Sequence, residues 1–396
     1  MARAEPPKNW ADANELTTNW ADANKPTPAK RDPKTGMSTA TISAFIANLP
    51  KAELHMHLEG SLEPELLIKL AARNGVRLPY GDAEALRRAY RFDSLKSFLD
   101  LFYLGLTVLQ KGIDFYEMTA AYFARAARDN VRHAEVFISP QAHTKRGIPI
   151  AVVIENILAA IDDSRARHGI TGGLIVGIQR QFDESSALAM IESVKPWRDR
   201  IIGLGMGGPE LGNPPSKFSR AYDVARCDCG WHTMAHAGEE GGADYIRDAL
   251  HTLKCERIDH GVRCESDPDL MRELAERGVP LTVCPMSNCM LNVFPDMASH
   301  NIRRLHDAGL RVTVNSDDPS YFGGYVNENY AAIQRALGMS DADLWQIAHN
   351  GFTSAFVPED LRNRYLAEIE LHRPSKAGGA RVFELVPTAN QARAYW

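Results

Sequence analysis

Long apolar runs are missing from this chain. The longest, residues 148–161, is interrupted by Glu155 and Asn156, and falls short of the roughly 18 uninterrupted residues that a membrane-spanning helix needs. A basic excess is missing as well. The formal net charge is −5, so the composition provides no positive field to draw a nucleic-acid backbone. No charged segment followed by an apolar one opens the sequence, and no secretory signal is expected. Cysteine is sparse, with 6 among 396 residues. Cys227, Cys229, Cys255, Cys264, Cys284 and Cys289 fall in apolar or helical segments, which fits reduced thiols in the cytoplasm better than a disulfide framework. Several signatures are absent too: there is no GxxxxGK[ST] phosphate loop and no HExxH helix. Gly203, Gly205 and Gly208 match the GxGxxG dinucleotide pattern by letter, but Pro209 stands where a helix should open, so no nicotinamide cofactor is expected. Cys284 and Cys289 stand too far apart for a CxxC zinc half-site.

What is present is ordinary globular material, 44% apolar and 24% charged, with length for one large barrel-sized domain. Residues 1–36 differ. They are rich in Pro, Lys, Asp and Asn, and the hexapeptide NWADAN occurs at Asn9 and again at Asn19. Such a segment cannot bury enough apolar surface to fold alone and is expected to be disordered. Met37 then opens a helix start through Ser38 and Thr39, which makes it the expected natural initiator. The division expected is a dispensable extension over 1–36, one domain over 37–374, and a loose tail over 375–396.

From Lys51 onward, short β-like runs alternate with helical patterns. The runs cover 51–57, 132–138, 173–179, 200–205, 231–236, 257–260, 279–284 and 310–316. Most are rich in Val, Ile, Leu or Thr. Helical patterns lie at 187–194, 217–225, 243–253, 267–277 and 301–308, and Asp183 and Asp267 stand at helix starts. Strand then helix, repeated eight times, is the order of a parallel (β/α)₈ barrel. The long connection after the first strand has helical patterns at 62–74, 94–109 and 115–128. It predicts a helical insertion over the barrel mouth, and further helices are expected at the C-terminus.

Barrel enzymes carry their chemistry at the C-terminal ends of the strands. Here those ends hold His55, His57, His236, His260, Asp317 and Asp318. His55 and His57 are two residues apart, so on a strand both imidazoles face one side. Three imidazoles and a carboxylate, from His55, His57, His236 and Asp317, make a plausible zinc shell with a position left for water. A lone strand histidine is usually a core or surface residue. Four such residues at the ends of three predicted strands are far harder to obtain by accident. The other histidines are read as ordinary core or surface residues.

These residues sit in five ordered motifs: KAELHMHLEGSLEPELL from Lys51, HAGEE from His236, RIDHG from Arg257, LTVCPMSN from Leu281 and VNSDDPSYFGGYV from Val314. Together, over about residues 45–370, they resemble the adenosine/adenine deaminase family of the amidohydrolase superfamily. Their wording is most similar to its adenine-acting branch, because adenosine-type members tend to carry Asp where Glu59 stands. The resemblance implies hydrolytic deamination of adenine to hypoxanthine and ammonia in purine salvage, with one zinc held by His55, His57, His236 and Asp317. It implies that Glu239 shuttles a proton at purine N1 and that His260 orients the attacking oxygen. Asp318 would contact N7, Gly205 and its loop would offer backbone groups to the ring, and Glu59 would stand where a ribose would otherwise lie. Many relatives have an acidic residue near Gly207, whereas this chain reads GMGGPELG from Gly205. No bridging Lys is evident, which favours a single metal. The same chemistry on adenosine, an N6-substituted adenine or 6-aminodeoxyfutalosine is the first alternative. A metal-dependent ester or amide hydrolase and a non-catalytic barrel are the others. The partner expected is a small purine, without nucleic acid or membrane, and a homo-oligomer stays open.

Overall fold

Eight parallel strands follow one another around a single sheet in sequence order: β1 (Lys51–His57), β2 (Val131–Ile138), β3 (Thr171–Gln179), β4 (Ile201–Gly207), β5 (His232–Ala237), β6 (Arg257–His260), β7 (Leu281–Val283) and β8 (Val312–Val314). The computed structural model describes residues 42–92 and 94–374. The extension over 1–36, the helix start at Met37 and the tail from Ser375 therefore lie outside the described residues. Closure comes from β1 meeting the end of β8. Asp317 N–H donates to His55 O at 3.1 Å, and His57 N–H donates to Asp317 O at 2.8 Å. This is the (β/α)₈ barrel. Its strands are buried on both faces, so they read as near-continuous apolar runs rather than alternating ones.

The strands depart from strict alternation where the chemistry lies. A register shift between Glu53 and Met56 interrupts the β1–β2 ladder. Glu53 turns outward and accepts from Tyr122 Oη at 2.6 Å, while His55 and His57 turn to the barrel mouth. Bulges of this kind re-aim side chains beside active sites. Strand β8 is shorter than the run over 310–316 suggested, because a side chain takes over the ladder: Leu54 N–H donates to Asn315 Oδ1 at 2.8 Å. Strand β4 is longer than expected and reaches Gly207.

The short α1 (Ala44–Asn48) precedes β1, and between β1 and β2 come α2 (Pro64–Asn74), α3 (Ala83–Ala89), α4 (Leu95–Leu106) and α5 (Gly112–Arg128). Ser94 caps α4 by accepting from Ser97 N–H. Leu95, Phe98, Phe102 and Leu106 recur at helical spacing and are buried, which lays α4 across the mouth. Asp183 and Asp267 cap their helices as expected, accepting from Ser186 and Leu270 N–H. The apolar run at 148–161 is the buried stripe of helix Ile150–His168. Among the described residues no helix is long and apolar enough to cross a membrane. The pattern at 243–253 divides into Ala243–Arg247 and a wider-wound turn, Asp248–Thr252. Three helices, Val326–Leu337, Asp341–Ser354 and Glu359–Glu370, complete the C-terminus.

Candidate active site

Two imidazoles from β1, one from β5 and a carboxylate following β8 meet at the barrel mouth. His236 Nε2 lies 3.1 Å from both His55 Nε2 and His57 Nε2. Asp317 Oδ1 lies 3.5 Å from His55 Nε2 and 3.4 Å from His57 Nε2. A tetrahedral ion with ligand bonds of about 2.0–2.1 Å sets its ligand atoms about 3.3–3.4 Å apart. These four separations lie close to that spacing, and all four atoms lie within 4.8 Å of one another. Tautomers strengthen the fit. His55 Nδ1 faces Thr282 Oγ1 at 3.1 Å and Thr282 O at 3.3 Å. The Thr282 hydroxyl proton goes to Asp259 Oδ1 at 2.8 Å, so His55 Nδ1 is the donor there, which turns Nε2 to the ligand point. His236 Nδ1 faces Asp259 Oδ2 at 3.4 Å, which turns its Nε2 to the same point. Burial pushes His57 down to about 4, so its ring is neutral at pH 7. Lone pairs converging in a buried space repel unless a cation is shared between them, and the donor set fits one metal ion.

Asp317 and His260 both have left-handed backbones, with φ of 64° and 65°. Each costs a non-glycine residue about 1–2 kcal/mol, held in place by the β1–β8 closure and by the end of β6. Strain of this kind collects at functional sites.

A chain of hydrogen bonds sets the tautomer of His260. Ile302 N–H donates to His300 Nδ1 at 3.1 Å, which leaves His300 Nε2–H to donate to Asn288 Oδ1 at 3.2 Å. The Asn288 amide nitrogen then donates to His260 Nδ1 at 3.3 Å. His260 must carry its proton on Nε2, which faces Glu239 Oε2 at 3.5 Å and Asp317 Oδ2 at 3.9 Å. Burial, with His55 beside it, pushes the His260 pKa well below the ordinary value. It is a neutral donor.

Glu239 is buried, and its Oε1 has no partner among the described residues. Burial, then Asp317 and Glu210, raise its carboxyl well above the usual carboxylate range. Its backbone is clamped by Glu210, whose carboxylate accepts from Gly238, Glu239, Glu240 and Gly241 N–H at 2.7, 3.1, 2.7 and 2.8 Å. The acid of the GMGGPELG loop is thus spent on the β5 loop. Asp318 is buried with Oδ1 unpartnered among the described residues, and burial followed by the Asp317 charge raises its carboxyl well above normal. Gly60 has to be glycine, because any Cβ there would collide with Asp318.

Two expected substrate contacts lie elsewhere. Gly205 is inside β4, and a side chain there would collide with Phe137. Because β4 runs on, Gly207 and Gly208 line the cavity in its place. Glu59 is fully buried outside the cavity lining. Its Oε1 takes Ser139 N–H at 2.9 Å and His143 Nε2 at 3.2 Å, and its Oε2 has no partner among the described residues. The residues that sequence reading missed sit beneath and beside the ligands. They are Asp259, Thr282, Asn288 and His300, and below them the fully buried pair of Arg257 and Glu135 at 2.6 Å. Four of these six, Arg257, Asp259, Thr282 and Asn288, lie inside quoted motifs, RIDHG and LTVCPMSN. The other two, His300 and Glu135, carried no local signal.

The cavity spans about 650 Å³ counted out to its open mouth. Leu95, Phe98, Leu99 and Phe102 of α4 form an apolar wall, and His57, His236, Glu239, His260, Asp317 and Asp318 form the polar one. Apolar faces with a few convergent polar groups suit a flat heterocycle with a polar rim.

Comparison with known proteins matches this architecture. The adenosine deaminase family model matches residues 50–371. An adenine deaminase of Rhodopseudomonas palustris is 49% identical over 329 residues, 83% of this chain and 96% of its own. One of Ralstonia nicotianae is 51% identical over 332 residues, 83% of this chain and 96% of its own. The crystal structure of an adenine deaminase from Arthrobacter aurescens superposes with a TM-score of 0.80 at 44% identity, covering 82% of this chain and 98% of that one. A zinc-bound amidohydrolase structure from Burkholderia ambifaria has a TM-score of 0.77 at 31% identity, covering 87% of this chain and 97% of that one. With the family model spanning most of the sequence and half of the residues shared across nearly the whole length of such relatives, the chain belongs to the adenosine deaminase family.

Proposed function

We propose that this enzyme hydrolyses adenine to hypoxanthine and ammonia, with one zinc ion held by His55, His57, His236 and Asp317. The observation that carries the reading is the meeting of a metal-spaced ligand set with a protonated carboxyl, Glu239, in one cavity. The relatives near 50% identity that are named adenine deaminases support the choice of base. Zinc, when bound there, supplies Lewis acidity that activates water at neutral pH.

The chain's own groups do the rest. Attack at C6 pushes electrons onto N1, and Glu239 Oε1, without a partner among the described residues, delivers its proton there as general acid. His260 Nε2–H orients the attacking oxygen, with its tautomer held by Asn288. Asp318, kept protonated, donates to N7. The α4 wall covers the ring face and excludes water, which strengthens each of these contacts. Glu59 stands behind the cavity wall and supports the choice of base only indirectly, by holding the N–H of Ser139, which lines the cavity.

The test is ammonia release on adenine, adenosine and N6-methyladenine, with metal analysis of the same protein. About one zinc per chain and the highest kcat/KM on adenine are expected. His236→Ala should lose metal and turnover together. Equal or better efficiency on adenosine would overturn the choice of base, and full turnover by metal-free His236→Ala would overturn the ligand set.

A further inference from the structure

One carboxylate lies beneath two of the proposed ligands at once, and the strand register puts it there. His236 pairs with Asp259 across the β5–β6 ladder, and Asp259 pairs with Thr282 across β6–β7. Residues paired on neighbouring strands share a face of the sheet. Three adjacent strands therefore present an imidazole, a carboxylate and a hydroxyl to the barrel interior on one rung.

His236 Nδ1 faces Asp259 Oδ2 at 3.4 Å, and neither atom has a hydrogen-bond partner elsewhere among the described residues. Asp259 Oδ1 accepts from Thr282 Oγ1 at 2.8 Å, and Thr282 Oγ1 in turn accepts from His55 Nδ1 at 3.1 Å. His55 stands on β1 and His236 on β5, across the barrel from each other. The carboxylate reaches the far side through one hydroxyl. The guanidinium nearby does not compete for it. Arg257 Nη1 is spent on Glu135 at 2.6 Å and Nη2 on Leu54 O at 3.1 Å, while Nε stays 3.8 Å from Asp259 Oδ1, outside hydrogen-bond distance.

We propose that Asp259 is a positioning residue of the metal centre, a single carboxylate that orients His236 directly and His55 through Thr282, and that it governs how tightly the ion is held. This rests on the zinc reading above. A carboxylate behind a ligating imidazole fixes the ring's tautomer and makes its other nitrogen more basic. Here one carboxylate does so for two rings that arrive from opposite strands. Neither Asp259 nor Thr282 lines the cavity, so this role is separable from substrate binding.

The test is zinc affinity, measured on the full-length enzyme by competition with a chelator, for Asp259→Asn, Thr282→Val and the double variant. Asp259→Asn keeps the shape and removes the charge. It should bind zinc about ten- to hundredfold more weakly than wild type, with KM for adenine at saturating zinc within about twofold. Thr282→Val cuts the His55 arm alone. It should weaken zinc by a smaller factor, since His55 Nδ1 keeps Thr282 O at 3.3 Å. Both act through one carboxylate, so Thr282→Val should cost less zinc affinity when added to Asp259→Asn than when added to wild type. Unchanged zinc affinity in Asp259→Asn would overturn the inference. So would fully additive losses, which make the two side chains independent supports, or a KM that rises along with the loss of zinc, which marks a distorted barrel. Should Asp259→Asn not fold, Thr282→Val decides alone, and wild-type zinc affinity in it overturns the two-ligand brace. A wild-type enzyme that binds no zinc removes the ligand set itself, and is seen before any variant is made.

Discussion

In the proposed reaction Glu239 carries the most chemistry of any single residue, and its environment makes a statement about pH. Burial, followed by Asp317 and Glu210, holds its carboxyl well above the usual value, which is about 4.3. The acid form is the working form. Activity is therefore expected to persist above the ordinary carboxylate range and to fall only as pH rises through the elevated value. Glu239→Gln keeps the size and removes the titrating proton. It should retain zinc and purine binding while kcat drops about 10²–10⁴-fold, and the alkaline limb of the pH–rate profile should disappear with it. A tenfold or smaller loss, or an alkaline limb that persists in the variant, would assign the proton to another group.

At the scale of elements, the loops after β4 and β5 are joined by one carboxylate. Glu210 binds four successive backbone N–H groups, Gly238 to Gly241, forming an anion nest that fixes where Glu239 points. The proposed ligand His236 lies within β5, in the parallel ladder with β6, and does not depend on that loop. Glu210→Gln should then separate the two functions. Zinc content is expected to stay at the wild-type level, while kcat falls at least about tenfold through loss of charge-assisted hydrogen bonds worth about 1.5–3 kcal/mol each. Zinc lost in parallel with kcat would show that the loop supports the ligands too.

Across the whole molecule, stability is concentrated where the barrel interior holds charge. Arg257 and Glu135 pair inside it, both fully buried. Burial alone would raise the Glu135 carboxyl, and Arg257 and His133 outweigh it and leave it lowered. A lowered folded value means stability that is complete above the unfolded value near 4.3 and is lost as pH falls through the folded one. Arg257→Met leaves Glu135 buried without its partner and should cost about 3–5 kcal/mol at pH 7. The gap from wild type should narrow as Glu135 protonates in acid. Urea midpoints measured at pH 7 and at low pH check this, and a gap that does not change with pH would remove the pair from the account.

Alternating runs from Lys51 onward were enough to determine the barrel, because the periodicities of strand and helix are local properties of the chain. The candidate metal-ligand cluster was legible for a related reason. His55, His57, His236 and Asp317 each lie at or near the C-terminal end of a strand, and a closed parallel barrel brings those ends to one rim. Other features required the folded chain. The bulge at Glu53 reassigns faces that an i, i+2 count makes equivalent. The extension of β4 to Gly207 moves the lining from Gly205 to Gly207 and Gly208. His300, read as an ordinary histidine, joins the site through Asn288. Tyr103 meets Gln179 and Gln181 across the lid. Composition and spacing report what each segment can do along its own length. Which proton a ring carries and which donor is left without a partner depend on contacts between segments far apart in sequence, and those exist only once the barrel has closed.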